Sequence, residues 1–298
     1  MVRQYKIHTN LDGTDDKVWD VTNGKVRFYQ PSNLGLQSTN NIWQSNGVGV
    51  MGTRSITQPQ IEFKLETFGE SLSENYQLMK DFVNDILNKK FVTLEYQTEI
   101  FQVYADLALA DVTKTEGYGK NGTFSEKITF DIITKWYTYE NLTFDMIRNG
   151  KVIAGKSKVY GGIAPGNYKY IKGTSYTYYG ESNIERLSRW DIKDEIFSFM
   201  GILYPKLPKT PTGVRFLDDI GNEYTAIVFK TEELQDYILI NTDVNDETYQ
   251  GWKGTTALNL FPVMDFERYR TRIIEKGQME LINLSKAEFK VKRKADFV

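Results

Sequence analysis

Apolar and polar side chains alternate with a period of two along much of this chain. In "IEFKLET", Ile61, Phe63 and Leu65 fall on one face and Glu62, Lys64 and Glu66 on the other. "FSEKITFDI" repeats the pattern with Phe124, Ile128, Phe130 and Ile132. "KAEFKVK" sets Ala287, Phe289 and Val291 against Glu288, Lys290 and Lys292. Successive side chains of a strand point to opposite faces, so each segment predicts an antiparallel strand with one buried and one wet face. "KVRFY" at 25–29, "YTAIVF" at 224–229 and "DYILIN" at 236–241 predict further strands.

One stretch changes period. "SLSENYQLMKDFVNDILNKK" spaces Leu72, Tyr76, Met79, Phe82, Val83 and Ile86 at three- and four-residue intervals, which predicts a helix over about 72–88. Ser71 and Glu74 form a capping-box pair, and lysines are expected in the last turn, where they complement the helix dipole. A single apolar stripe suits a helix laid across a sheet. A shorter helical turn is expected in "SNIERLSRW", capped by Ser182 or Asn183. The strand pattern breaks near "ITKWYTYENL", placing a boundary between an N-terminal domain over 1–135 and a C-terminal domain over 136–298. Pro205, Pro208 and Pro211 bracket a loop before the second run of strands.

Composition supports this outline. At about 150 residues per domain, 298 residues provide two domains, each able to bury a core. Aromatics reach 14%, with 19 Tyr, 17 Phe and 5 Trp, and favour strands over helices. The 37 Lys and Arg against 39 Asp and Glu leave a net charge of -2, so no domain-wide basic field exists to recognise a nucleic acid. Zero cysteines exclude disulfides, thiolate metal sites and cysteine nucleophiles. "MVRQYKIHTN" lacks the apolar run of a secretory signal, so synthesis and retention in a cytoplasm are expected. The longest apolar run, "IFSFMGILY" at 196–204, is far short of the ~20 residues that span a bilayer, so no membrane insertion is expected.

Catalytic signals are weak. "GVGVMG" at 47–52 and "GYGKNG" at 117–122 match G-x-G-x-x-G, but neither precedes a helix whose N-terminus could hold a pyrophosphate. Both read as loops. The one histidine, His8, is expected at the surface or facing a partner rather than in catalysis, and no carboxylate pair stands out. Asp12, Asp15, Asp16 and Asp20 lack the full calcium-loop pattern and read as a polar turn. "KVKRKADF" reads as a solvated strand face. No enzymatic role, cofactor or metal is expected.

Two other segments carry more information. Residues 30–54, "QPSNLGLQSTNNIWQSNGVGVMGTR", are rich in Asn, Ser and Gly yet hold Leu34, Leu36, Ile42, Trp43, Val48, Val50 and Met51. Such long connections are usually functional, and this one predicts a projecting hairpin whose apolar residues a neighbouring subunit buries. "VYGGIAPGNYKYIKGTSYTYYGES" at 159–182 holds Tyr160, Tyr168, Tyr170, Tyr176, Tyr178 and Tyr179 among glycines and serines. Tyrosine offers large contact area at low entropy cost, as binding surfaces require. With Trp190, these residues are candidates for an arm that grips another protein. Two alternatives stand beside it: a twisted, exposed hairpin inside an ordinary sheet, and a saccharide platform built on Trp190, Trp252 or the tyrosines.

The order of these parts, from the strand-rich start through "SNLGLQSTNNIWQSNGVGVMGTR" and the helix "SENYQLMKDFVNDIL" to "AEFKVKRKADFV", resembles the distal tail proteins of long-tailed siphophages of Gram-positive bacteria, most closely the lactococcal type. The resemblance covers essentially the whole chain. It implies a mainly β protein: an N-terminal β-sandwich-like domain with one helix and a projecting belt hairpin, then a galectin-like β-sandwich with an arm excursion at about 145–190. It further implies a virion structural protein of the tail tip or baseplate, six copies of which close into a ring. The implied partners are the major tail protein, the tail-associated tip protein and the receptor-binding protein held by the arms during host adsorption. True galectins use a histidine in their sugar site; none follows His8, so the fold is expected without that site. A tail-tip carbohydrate-binding module contacting host cell-wall saccharide remains the alternative function.

Overall fold

The computed structural model describes residues 3–35, 37–57, 60–114, 125–148, 151–152, 174–179 and 190–295. The chain is mainly β and divides into two compact units, Met1–Tyr137 with Ala295–Val298, and Thr138–Lys294.

The first unit contains β1 (Gln4–His8), β2 (Val18–Asp20), β3 (Val26–Ser32), β4 (Gln37–Ser45), β5 (Val48–Thr57), β6 (Ile61–Thr67), α1 (Leu72–Leu87), β7 (Val92–Gln97), β8 (Gln102–Thr113) and β9 (Ser125–Ile132). All but β4 and β5 form one antiparallel sheet in the order β2-β1-β7-β8-β9-β6-β3. The sheet folds back on itself. Tyr5 on β1 meets Phe63 on β6 edge-on at 5.5 Å between ring centroids, although three strands separate them in the order. Alternation in β6 is strict, with Ile61, Phe63 and Leu65 in the core. α1 inserts Phe82 and Ile86 into that core, with Phe82 edge-on to Phe28 and Trp19.

Ser71 caps α1 by accepting the N–H of Glu74. Two details differ from the sequence pattern. The helix ends at Leu87 with no basic residue in its last turn, because Asn88 caps it and the lysines lie beyond. Among the apolar residues expected to face the sheet, Leu72 and Tyr76 are exposed, while the polar Asn75 is fully buried with its Oδ1 accepting the N–H of Gly69.

The second unit contains β10 (Tyr137–Arg148, from Thr138 onward), β11 (Lys151–Val152), β12 (Thr174–Tyr179), β13 (Trp190–Ile192), β14 (Ile196–Pro205), β15 (Thr212–Leu217), β16 (Glu223–Phe229), β17 (Tyr237–Asn241), β18 (Thr248–Lys253), β19 (Thr256–Asn259), β20 (Gly277–Ile282) and β21 (Leu284–Lys294). One sheet runs β19-β18-β17-β14-β21-β10, and a second runs β13-β20-β15-β16. They pack as a sandwich through rings such as Phe199 on β14 and Phe216 on β15, 5.8 Å apart. β15 and β20 pass close to neighbouring backbone at Gly213 and Gly277. These adopt φ of 155° and 144°, where a Cβ would fall within 2.0 Å of a carbonyl oxygen.

The reading of "KVKRKADF" as a solvated face is wrong for Lys290 and Lys292, whereas Lys294 is exposed. β21 is an interior strand of its sheet, flanked by β14 and β10, and both its faces are covered. Lys292 is 4% exposed and donates to Asp243 at 2.8 Å, and Lys290 lies over the Tyr139 ring at 4.0 Å. The helical candidate at 182–190 lies outside the described residues except for Trp190, which begins a strand.

Candidate assembly interface

β4 and β5 pair only with each other, forming a two-stranded hairpin that leaves the first unit between β3 and β6. Asn46 and Gly47 close it with φ of 50° and 79°. Two consecutive left-handed residues make the turn whose twist matches that of the flanking strands, and Asn-Gly is its preferred pair. "GVGVMG" is therefore the turn and first half of β5, with no helix behind it; "GYGKNG" lies outside the described residues.

Cross-strand partners share a face. The register pairs Trp43 with Val50 and Ser45 with Val48 on one face, and Ile42 with Met51 on the other. Glycines shape both faces. A Cβ on Gly52 would lie 3.2 Å from the Trp43 indole nitrogen, and one on Gly49 would lie 3.2 Å from Ile42, so both side chains rest on bare backbone. The distal half of the hairpin is thus apolar on both sides. Exposure is 53% at Ile42, 68% at Trp43, 67% at Val48, 65% at Val50 and 50% at Met51. The proximal half is polar, with Arg54 Nε donating to Asn40 Oδ1 at 2.9 Å. Leu34 sits at the root, half-buried against the core of the first unit, and Leu36 lies outside the described residues. An isolated hairpin with two apolar faces has no means of burying either one alone.

The proposed arm is described only in part. Tyr160, Tyr168 and Tyr170 lie outside the described residues. Tyr176, Tyr178 and Tyr179 belong to β12, which runs parallel to β10 with Tyr176 opposite Phe144 and Tyr178 opposite Met146. Trp190 is not an exposed arm residue. It is 5% exposed, pairs with Met279 and belongs to the core of the second unit, which also removes it as a saccharide platform. Trp252 stacks on Tyr237 at 6.1 Å between centroids.

His8 corrects another expectation. It is 7% exposed, not at the surface, and is held between two carboxylates: Nδ1 is 2.7 Å from Asp16 and Nε2 is 2.8 Å from Glu95. Lys6 donates to the other oxygen of Glu95 at 2.8 Å. Burial alone would lower the imidazole pKa, but the hydrogen bonds to Glu95 and Asp16 outweigh it and hold the ring above its ordinary value. Burial likewise opposes ionisation of Glu95, yet His8 and Lys6 bring its pKa down to about 2. The cluster ties β1, the 9–17 loop and β7 together. No local signal could reveal it, because Glu95 is 87 residues from His8. The aspartate-rich turn is polar as expected: Asp15 pairs with Lys89, and Asp20 accepts the N–H groups of Thr22 and Asn23.

Comparison with known proteins gives the whole chain a family. Residues 4–133 match the model of the distal tail protein N-terminal domain, and residues 135–298 match that of the Dit C-terminal domain. The chain is 95% identical to the distal tail protein of Lactococcus phage p2 and 92% identical to that of Lactococcus phage SK1, with all of each chain covered in both cases. Its structure is similar to a chain of the phage P2 baseplate in its activated conformation with Ca, with a TM-score of 0.79 at 95% identity over the full length of both. It shares its fold with the SPP1 Dit protein, with a TM-score of 0.52 at 10% identity over 97% of this chain and 98% of the other. The chain belongs to the distal tail protein (Dit) family.

Proposed function

We propose that this protein is the structural hub of a phage tail tip, a ring of six copies that joins the tail tube to the tip protein. Its place is the virion baseplate, and its role is mechanical rather than enzymatic. The observation that supports the ring is the β4–β5 hairpin, which presents two apolar faces and buries neither within its own chain. A head-to-tail contact closes into a ring when one patch of the subunit complements a different patch of the next copy. The hairpin supplies one such patch. Similarity to a chain of the P2 baseplate supports placement in the same kind of assembly.

The segment at about 145–190 is the arm in this reading, gripping the receptor-binding protein. Tyr168, Tyr170, Tyr176, Tyr178 and Tyr179 are its contact residues, and Trp190 is left out because it is core. The tail-associated tip protein and the major tail protein occupy the two faces of the ring. Replacing those five tyrosines with serine leaves the thermal unfolding of the chain unchanged and abolishes capture of the purified receptor-binding protein. Unchanged capture rejects the arm. Averaged electron micrographs of the purified chain show six-fold rings; a different symmetry rejects the stated copy number.

A further inference from the structure

The sequence contains four Asn-Gly pairs, at 23–24, 46–47, 121–122 and 149–150, and the first two lie among the described residues. Both of those asparagines are exposed, so access to water does not separate them. Backbone hydrogen bonding does. Asn23 sits in a tight turn: Asp20 Oδ1 accepts its N–H at 2.9 Å, and the Asp20 carbonyl accepts the N–H of Gly24 at 3.0 Å. The Gly24 nitrogen is thus tied to the main chain ahead of it. At the hairpin tip the flanking pair, Ser45 and Val48, closes the ladder, and a two-residue turn leaves its central N–H groups outside that ladder. Among the described residues the Gly47 N–H has no acceptor and the Asn46 side chain has no partner.

We propose that Asn46 is a spontaneous modification site, converted by attack of the Gly47 backbone nitrogen on its side-chain amide. The nitrogen bonds to Asn46 Cγ, the Cγ–Nδ2 bond breaks, and ammonia leaves with the proton that Gly47 gives up. Water then opens the five-membered imide at either carbonyl, giving aspartate or iso-aspartate. Water is the only co-reactant. Gly47 suits the role because it has no Cβ to shield its nitrogen and adopts a φ of 79° without strain. Either product changes the tip. Residues 41–53 hold no charged side chain, so an aspartate is the first charge there. Iso-aspartate adds an atom to the main chain of the turn. It thereby disturbs the spacing that sets Ser45 opposite Val48 and Trp43 opposite Val50.

Asn23 serves as an internal control. The purified full chain is held dilute at mildly alkaline pH, both folded and unfolded in urea, and conversion is followed by peptide mass spectrometry. Cleavage after Lys17, Lys25, Arg27 and Arg54 places Asn23 and Asn46 on separate peptides. In the folded chain Asn46 converts at least about five times as fast as Asn23, the factor that one retained backbone hydrogen bond supplies. The product is a mixture of aspartate and iso-aspartate. In urea the two sites convert at the same rate, because both turns are gone. Equal rates in the folded chain, or faster conversion at Asn23, overturn the proposal. A five-fold difference that persists in urea assigns the preference to sequence and overturns the role of the turn. Aspartate as the sole product overturns attack by the Gly47 nitrogen. Asn46→Gln moves the amide carbon out of that nitrogen's reach and abolishes conversion of its peptide. Unchanged conversion in this variant assigns the reaction to Asn33, Asn40 or Asn41 and overturns the site.

Discussion

Replacing His8 with alanine removes the group that links Asp16 to Glu95. In the native protein the Glu95 pKa is lowered from 4.5 to about 2. That lowering corresponds to about 3 kcal/mol of preference for the ionised carboxylate, shared between His8 and Lys6. Alanine leaves the Glu95 and Asp16 carboxylates without the ring that bridges them. Breaking one side of a buried pair commonly costs about 3–5 kcal/mol, and loss near the lower figure is expected because Lys6 still holds Glu95. The pH dependence separates this from simple loss of packing. The His8 pKa is raised on folding, so its contribution is complete below its unfolded value near 6.5 and is lost as pH rises through the folded value. The Glu95 pKa is lowered, so its contribution is complete above about 4.5 and is lost as pH falls towards 2. The stability difference between native and His8→Ala chains therefore peaks between about pH 4.5 and 6.5 and shrinks on both sides. Calorimetric unfolding at fixed protein concentration, in steps from pH 3 to 9, measures it. Two curves that run parallel across that range refute the ionised cluster.

Other expectations follow from packing and backbone geometry. Phe82→Ala empties the side chain by which α1 is anchored to Phe28 and Trp19 and costs about 3–5 kcal/mol, read as a fall in urea midpoint. Gly213→Ala places a Cβ 1.9 Å from the Ile227 carbonyl oxygen at a φ of 155°; it lowers Tm and costs at least about 2 kcal/mol, or prevents folding of the second unit. Asp243→Ala removes the Asp243 carboxylate from the buried Lys292 ammonium and costs about 3 kcal/mol, whereas Lys292→Met with Asp243→Ala recovers most of it, compared by chemical denaturation.

The elements legible in the sequence were those set by local pattern. Strict alternation located β6 and β9, and Ser71 with Glu74 located the start of α1, because a strand face and a helix cap each depend on residues close in sequence. The faces were harder. On β21 alternation marked Lys290 and Lys292 as wet, yet the strand sits inside a sheet with both faces covered, a property of order rather than of the strand. On α1 the spacing merged two stripes into one, and only the fold separates the line of Phe82 and Ile86 from the line of Leu72, Tyr76 and Leu87. The hairpin was legible because isolated large apolar residues, among them Ile42, Trp43, Val48, Val50 and Met51, sit in a long stretch otherwise rich in Asn, Ser and Gly; its Asn46-Gly47 turn is seen only in the fold. Trp190 was misassigned because a tyrosine-rich neighbourhood says nothing of where the chain re-enters a sheet.

In the proposed ring the apolar tip of the hairpin holds one copy of the chain to the next. Light scattering on the purified protein across a range of concentrations, beside a Trp43→Ser, Val50→Ser variant, tests it most directly. Both side chains are largely exposed in the single chain, so the substitutions leave unfolding unchanged. A mass near six chains is expected for the native protein and near one for the variant. Equal masses for the two proteins, at any value, contradict it.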